Sequence, residues 1–526
     1  MPDMPYPATD SLEVFPRQHP SSIRDIEGLI TPEGSLYASN GENYRGMLFG
    51  RDALEAADDL LEAEPEVALN VIDSLTRLQG IKYDEASAEE FGKIPHQHMR
   101  LYVNGSRIAA QAEAQMRKLG EKWGGDEEGF TYYGSLDATP LYARLVARYG
   151  LIHGTEFLKG EVETKTGETI NRLEAFRRSV NWICDHLESS ELSLLEFKRL
   201  SNQHIVVQSW RDSGSSYVHE DGSQVNLNGF IAPLEVQGYA FDALFLGQNL
   251  ARLSGVNEDE VSRWEGHATA TRERVFDAFW LGEDKGFAMA IDRDENWQPR
   301  QLKTPSSTQG NLLDTRLFLG IEESERQKYV GSIVRNIHSQ DFMTEIGIRC
   351  RAISAAHLVP FADYHGSWAV WTKESYDYLK GLRRQGFNKL ADDMQIRILN
   401  MVNVSGHNYE FLYVNLDGEV DYTPKKYEKG MTTDELIIAT NIPEEGQAWT
   451  ASAILAVKRG LRPKNHLASS MWSRALEHKL LASIPPAELL QTTDDINNKR
   501  KTTKSFAIDI DAGIAEDRKW NPDWWR

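Results

Sequence analysis

The sequence predicts an all-α protein in which helical hairpins close into a ring. Apolar residues recur with a helical period in about a dozen segments, while convincing alternating strands are scarce. Successive helices are joined in pairs by short turns, with longer polar loops after each even one, as helical hairpins require.

Taken in order, the helices are read over residues 50–62, 65–79, 138–149, 169–188, 233–253, 257–279, 309–319, 323–338, 366–382, 385–403, 447–459 and 468–481. A further amphipathic piece, Ser106 to Leu119, reads as an insertion. The connections 80–137, 189–232, 280–308, 339–365 and 404–446 are long for a compact domain, and such loops are usually functional. They are expected to gather at one end of the ring, so that the openings of the odd helices face a common mouth. Residues 1–44 read as an extended arm, 45–489 as the ring, and 490–526 as a tail of different composition. Trp520, Trp524 and Trp525 of that tail would be costly to expose, so they are expected to dock on the body or on a partner, including a second copy of the chain.

Composition narrows the function classes. The chain has 526 residues, 40% of them hydrophobic, which is ample material for a large core. A formal charge of -21 argues against nucleic-acid and anionic-membrane partners, since phosphate binding needs clustered cations. The first residues, MPDMPYPATD, lack the pattern of a signal peptide, and no long apolar run reads as a membrane span, so a cytoplasmic location is expected. Cys184 and Cys350 are too few for a disulfide framework or a zinc site and read as small buried hydrophobes. The acidic clusters near 126–128 and 257–260 read as solvated faces. The 13 Trp and 19 Tyr are the compositional oddity, because such rings form platforms for sugars as well as core.

The helix openings concentrate chemistry. They supply Arg51 and Asp52; Tyr133 and Asp137; Trp210, Arg211 and Asp212; Glu235 and Gln237; Tyr364, His365, Trp368 and Trp371; and PEEGQAW, which contains Glu445, Gln447 and Trp449. Carboxylates, an Arg and aromatics at one mouth suit a neutral carbohydrate. Glycosidic cleavage needs two carboxyl groups, and Asp212 with a Glu of PEEGQAW is the obvious couple. Taken singly, each motif has a plainer reading: Arg-Asp at a helix start as a cap or surface pair, His365 as a structural histidine, the Trp residues as core.

The ordered set FGRDAL, LTRLQG…GKIPH, YGSLDATPLYARLVARY, QSWRDS…HEDGS, PLEVQGYAFDAL, EIGIRC and EGQAW resembles the amylo-α-1,6-glucosidase domain of glycogen debranching enzymes, over roughly residues 45 to 460. That family belongs to the six-hairpin glycosidases, whose fold is an (α/α)6 toroid. The resemblance implies Asp212 as general acid and Glu445 as general base of an inverting, exo-acting hydrolase, with about 6.5–9.5 Å between the carboxyl groups. It implies Arg51 and Asp52 on hydroxyls of the terminal sugar, Glu235 and Asp137 in supporting roles, Trp210, Trp368, Trp371 and Trp449 as stacking faces, and no metal or cofactor. A helix N-terminus would favour ionised Glu445, and burial against Trp210 would raise the pKa of Asp212. Glu444 is expected to take no part in the chemistry.

Two departures bear on the substrate. No β-rich or transferase domain is expected before residue 45, and YHGSWAVWTKES is looser than the family's usual segment. A hydrolase of a small α-glucoside or α-mannoside, such as a compatible solute, is therefore an alternative. A sugar 2-epimerase on the same kind of ring is another, but the openings offer no pair of histidines for its proton transfers.

Overall fold

The computed structural model describes residues 22–489 apart from 33, 40–43, 45, 104–105, 360–362, 423–442, 461–468 and 485. The expected tail 490–526 and most of the expected N-terminal arm therefore lie outside the described residues. Within them the α-helices are α1 (Ser22–Leu29), α2 (Gly50–Leu60), α3 (Pro65–Arg77), α4 (Ala110–Trp123), α5 (Ala138–His153), α6 (Arg172–Ser189) and α7 (Leu234–Leu253). They continue as α8 (Glu258–Ala278), α9 (Glu323–Ile337), α10 (Thr372–Arg384), α11 (Asn388–Ser405), α12 (Ala448–Lys458) and α13 (Met471–Ser483).

The helical contacts run in a closed circuit. In turn, α2 packs on α5, α5 on α7, α7 on the 3-10 helix Ser307–Asp314, that helix on α10, α10 on α12, and α12 back on α2. Around this inner circuit lie partners that follow their inner helix in sequence: α3 on α2, α6 on α5, α8 on α7, α9 on the 3-10 helix, and α11 on α10. Helix α13 packs against α9 and α11. Ser22–Leu29, expected to be extended, is helical and rests on α12 with Ile26 and Leu29 buried. The amide of Ala448 donates to the carbonyl of Ala38 at 2.8 Å, so the segment after α1 also fastens the start of α12.

The inner helices are buried nearly all round. For α7 and α12 the sequence explains this, since small and apolar residues cover every face. Helix α10, TKESYDYLKGLRR, is polar on most faces yet buried along its whole length. Its charges are paired across the circuit, Lys373 with Glu55 at 3.0 Å, Lys380 with Asp59 at 2.7 Å and Arg384 with Asp314 at 2.5 Å, and within the helix, Lys373 with Asp377 at 2.7 Å. Buried charge is tolerable only with such partners. The outer helices carry ordinary start signals, with Asn171 capping α6, Asn257 capping α8 and a Ser470–Ser473 capping box on α13.

The all-α expectation needs correction, because the long loops contain short antiparallel strands. Three sheets are Met47–Phe49 with Gln97–Arg100 and Gly129–Tyr132; Ala232–Pro233 with Ala290–Arg293 and Pro299–Leu302; and Ala369–Trp371 with Phe411–Val414 and Val420–Tyr422. In each, an edge strand runs straight into an inner helix: α2, α7 or α10. The sheets thus deliver helix N-termini to one end of the circuit. The helix expected from 366 begins at Thr372 because 369–371 is a strand, and the one expected over 309–319 is a 3-10 helix, where Gly310 and Asn311 weaken α propensity. Both cysteines are free and buried. Among the described residues no helix is long and apolar enough to cross a membrane.

Candidate active site

Side chains from the openings of all six inner helices meet at that end. Arg51 and Asp52 stand in the first turn of α2, Asp137 precedes α5, Glu235 begins α7, Ser307 begins the 3-10 helix, Glu374 begins α10, and Gln447 caps α12. Arg51 Nε donates to Asp137 Oδ2 at 2.7 Å, and the Ser135 hydroxyl donates to the other Asp137 oxygen at 2.5 Å. Arg211, fully buried, donates to Ser307 Oγ and Glu374 Oε1, each at 2.8 Å, and Ser307 donates to the same Glu374 oxygen at 2.7 Å. Gln447 Nε2 reaches Asp52 Oδ1 at 3.4 Å. Glu235 is completely buried, and both of its carboxyl oxygens lack a hydrogen-bond partner. Burial raises its pKa to about 7.

Asp212 is held between Arg51 and Tyr364. An Arg51 terminal nitrogen lies 3.8 Å from Asp212 Oδ2, and the Tyr364 hydroxyl donates to Oδ1 at 3.0 Å. Both favour the carboxylate, but removal from bulk water outweighs them and lifts the pKa to about 6. About a third of this side chain, 31%, stays open to solvent, so it stands at the entrance of the cluster. Burial likewise lifts Asp52 to about 7, with the Asp212 charge adding to the rise.

A third carboxyl completes the group. Glu410, 7% exposed, has its pKa raised well above the usual range by burial and then by Asp52, with smaller contributions from Glu444 and Asp212. The pKa of Tyr44 is raised first by Glu410, then by burial, Asp212, Asp52 and Glu444, so its hydroxyl lies in the field of these four carboxyls. A cluster of like charges around one space cannot be fully ionised.

Glu445, the base implied by the resemblance, does not join this cluster. Its side chain is 53% exposed and pairs with His407 Nδ1 at 2.5 Å. Glu444 is the buried member of the pair, 6% exposed, within reach of Ser39 Oγ at 3.3 Å. The reason is local geometry. The two glutamates do not belong to the first turn of α12 but to an extended segment bridged to Tyr409, and neighbours on an extended chain point to opposite sides. Gly446, with φ +69°, then turns the chain into the helix.

The remaining expected site residues divide. Trp210, Trp368, Trp371 and Trp449 are packed with Cys350, Phe411 and Tyr413 into one buried aromatic cluster, so they wall the site instead of lying open as platforms. His365 belongs to that wall, stacked on Trp371 at 5.1 Å with Nδ1 near Ser213 Oγ at 3.2 Å, and burial drives its pKa far down. Tyr133 faces away, donating to the carbonyl of Leu78 at 2.6 Å and accepting from Lys165 at 2.8 Å. Gln237 spends both ends of its amide on backbone at Leu195 and Pro233, which anchors a loop. Neither is placed to meet a ligand at Asp212.

Sequence reasoning missed Tyr44, Glu410, Ser307 and Glu374. Glu410 had a signal: it is the one acid in the run Tyr409 to Val414, where every other residue is aromatic or aliphatic. Among the described residues no group of three or more His, Cys, Asp or Glu is arranged to hold a metal ion.

No protein-family model matches the sequence, and no curated protein matches it either. Solved structures do resemble the fold. A GH63 mannosylglycerate hydrolase from Thermus thermophilus, in complex with glucose, aligns with a TM-score of 0.52 at 13% identity, over 84% of this chain and 100% of that one. A wild-type glycosidase aligns with a TM-score of 0.48 at 11% identity, over 86% and 99%. An uncharacterized conserved protein, also from Thermus thermophilus, aligns with a TM-score of 0.49 at 12% identity, over 85% and 100%.

Proposed function

We propose that the chain is an inverting, exo-acting α-glycoside hydrolase built on an (α/α)6 toroid spanning about residues 45–489, with Asp212 as general acid and Glu410, in place of Glu445, as general base. The observation that carries this reading is the shared surroundings of Asp212, Glu410, Asp52 and Arg51 at the meeting point of the helix openings. Asp212 sits at the open side, where the leaving group must depart, and its pKa of about 6 leaves part of it protonated near neutrality. Glu410 lies deeper. It acts as a base in the state in which the cluster's proton resides on Asp52, leaving its own carboxylate to draw a proton from the attacking water.

Arg51 and Asp52 then bind hydroxyls of the terminal sugar, with Tyr44 and Tyr364 beside them. The fold shared with a mannosylglycerate hydrolase holding glucose supports a small α-glucoside or α-mannoside. The motif resemblance supports the amylo-α-1,6-glucosidase type. Incubating small α-glucosides, α-mannosides and limit dextrins with the protein and following the anomer by proton NMR tests the proposal. Release of the β-sugar is expected; retained α-configuration overturns the mechanism, and epimerisation without cleavage overturns the reaction class.

A further inference from the structure

Against the segments that lead into Asp137 and Asp212 lies a cavity of about 400 Å³. Its inner wall includes Leu136 and Gln208, which are joined by a 2.8 Å backbone hydrogen bond one residue before Asp137 and four before Asp212. Polar side chains contribute to its wall, among them Gln208, His204 and Arg293, whose Nη2 holds Glu196 at 2.7 Å.

The mouth of the cavity is aromatic. Phe230 lines it and is 40% exposed, and Trp297 stands beside it, 52% exposed. Lys198 lies between them, its Nζ 5.3 Å from one ring centre and 5.6 Å from the other. Trp297 occupies a hairpin turn with φ +62°, a backbone state costly for a bulky residue, and most of its ring gains no burial in return.

The charge on the wall defines the ligand. Glu90, Glu191 and Glu196 are matched by Lys93, Lys198 and Arg293, so the lining as a whole favours neither an anion nor a cation. Lys93 is already paired with Glu90 at 2.7 Å. Balanced charge, polar side chains in the lining and exposed rings at the rim suit a neutral, hydroxyl-rich ring.

We infer that this cavity is a second, non-catalytic saccharide site, of a size for one or two hexose units, placed against the segments that lead into Asp137 and Asp212. It stands apart from the reading of those segments as catalytic, because it concerns binding and not turnover.

The test is calorimetric titration of maltose into the full chain carrying Asp212→Asn, in parallel with the same protein carrying Trp297→Ala and Phe230→Ala. Both rings are substantially exposed, so folding is preserved, and circular dichroism verifies it. The rim variant is expected to bind one fewer equivalent of maltose, with sites of Kd on the order of 1 mM or tighter. Should the first site bind no maltose, the stoichiometry falls from one to zero and the inference stands. Unchanged stoichiometry in the rim variant, or no maltose bound by either protein, overturns it. Binding of glucuronate at the rim in preference to maltose also overturns it, because the site would then select charge.

Discussion

Glu444 and Glu445 are chain neighbours that face opposite environments: one is buried beside Ser39 and the carboxyl cluster, and the other is half exposed against His407. A two-residue acidic motif therefore contributes one member to the site, and the remaining carboxyl comes from Glu410, more than thirty residues earlier. Conservative exchange separates the roles. Glu410→Gln is expected to lower kcat by about 10²–10⁴, whereas Glu445→Gln stays within about threefold of the parent, as for a surface ion pair. Added azide should restore turnover to Glu410→Gln by replacing the base-activated water and giving a β-glycosyl azide; no azide product would remove Glu410 from the role of base.

Tyr364 donates to Asp212 and so favours its carboxylate. Tyr364→Phe removes that donor, raising the pKa of Asp212 above about 6. The alkaline limb of the kcat/KM profile, where an acid catalyst loses its proton, is expected to move to higher pH, whereas a limb unchanged in position would assign it to another group.

Glu235 links pH to stability. Its pKa of about 7 lies above that of an unfolded glutamate, so the folded protein holds a proton that the unfolded chain releases. This destabilisation is absent below about pH 4, grows as pH rises, and is complete above about pH 7, where it is on the order of 3 kcal/mol. Glu235→Gln should therefore raise the unfolding midpoint at pH 8 relative to pH 5, measured by calorimetry. An equal shift at both values would mean that its ionisation does not enter folding.

Arg211 and Glu374 form a pair with essentially no solvent access. Glu374→Leu leaves the guanidinium buried without its carboxylate and is expected to cost about 3–5 kcal/mol, much of it regained in the double variant Arg211→Met with Glu374→Leu. Urea titration of the three proteins checks this, and additive losses would contradict a direct pairing.

Gly50 lies where a strand passes into α2. A Cβ there would come within 2.1 Å of the Pro95 carbonyl oxygen, so Gly50→Ala must push apart the strand–helix junction that places Arg51 and Asp52. A stability loss of about 1–3 kcal/mol is expected together with a raised KM; unaltered KM would show that the junction tolerates the shift.

The helices were legible because most of them present a periodic apolar face over ten residues or more, and their observed ends lie within a few residues of those read from sequence. Strands such as Ala369–Trp371 and Phe411–Val414 were not, because they are three or four residues long and buried on both faces, so no alternation marks them. The burial of α10 was also hidden, since its Lys and Glu residues read as solvated until partners on other helices are known. In the site, residues at the openings of periodic helices are legible: Arg51 and Asp137 stand at such openings, and Asp212 in the loop before one. Glu410 was overlooked because its context is a strand that the periodicity did not show.

The seam of the circuit lies between α2 and α12, at opposite ends of its sequence. During synthesis, α2 must therefore wait for nearly the whole chain before its last neighbour exists. Glu55 and Asp59 meet their partners sooner, but still only after Lys373 and Lys380 of α10 have been made. The carboxyl cluster likewise has no form before residues 410 and 444 have emerged, so a chain that stops short of them has most of its helical sequence and an incomplete site.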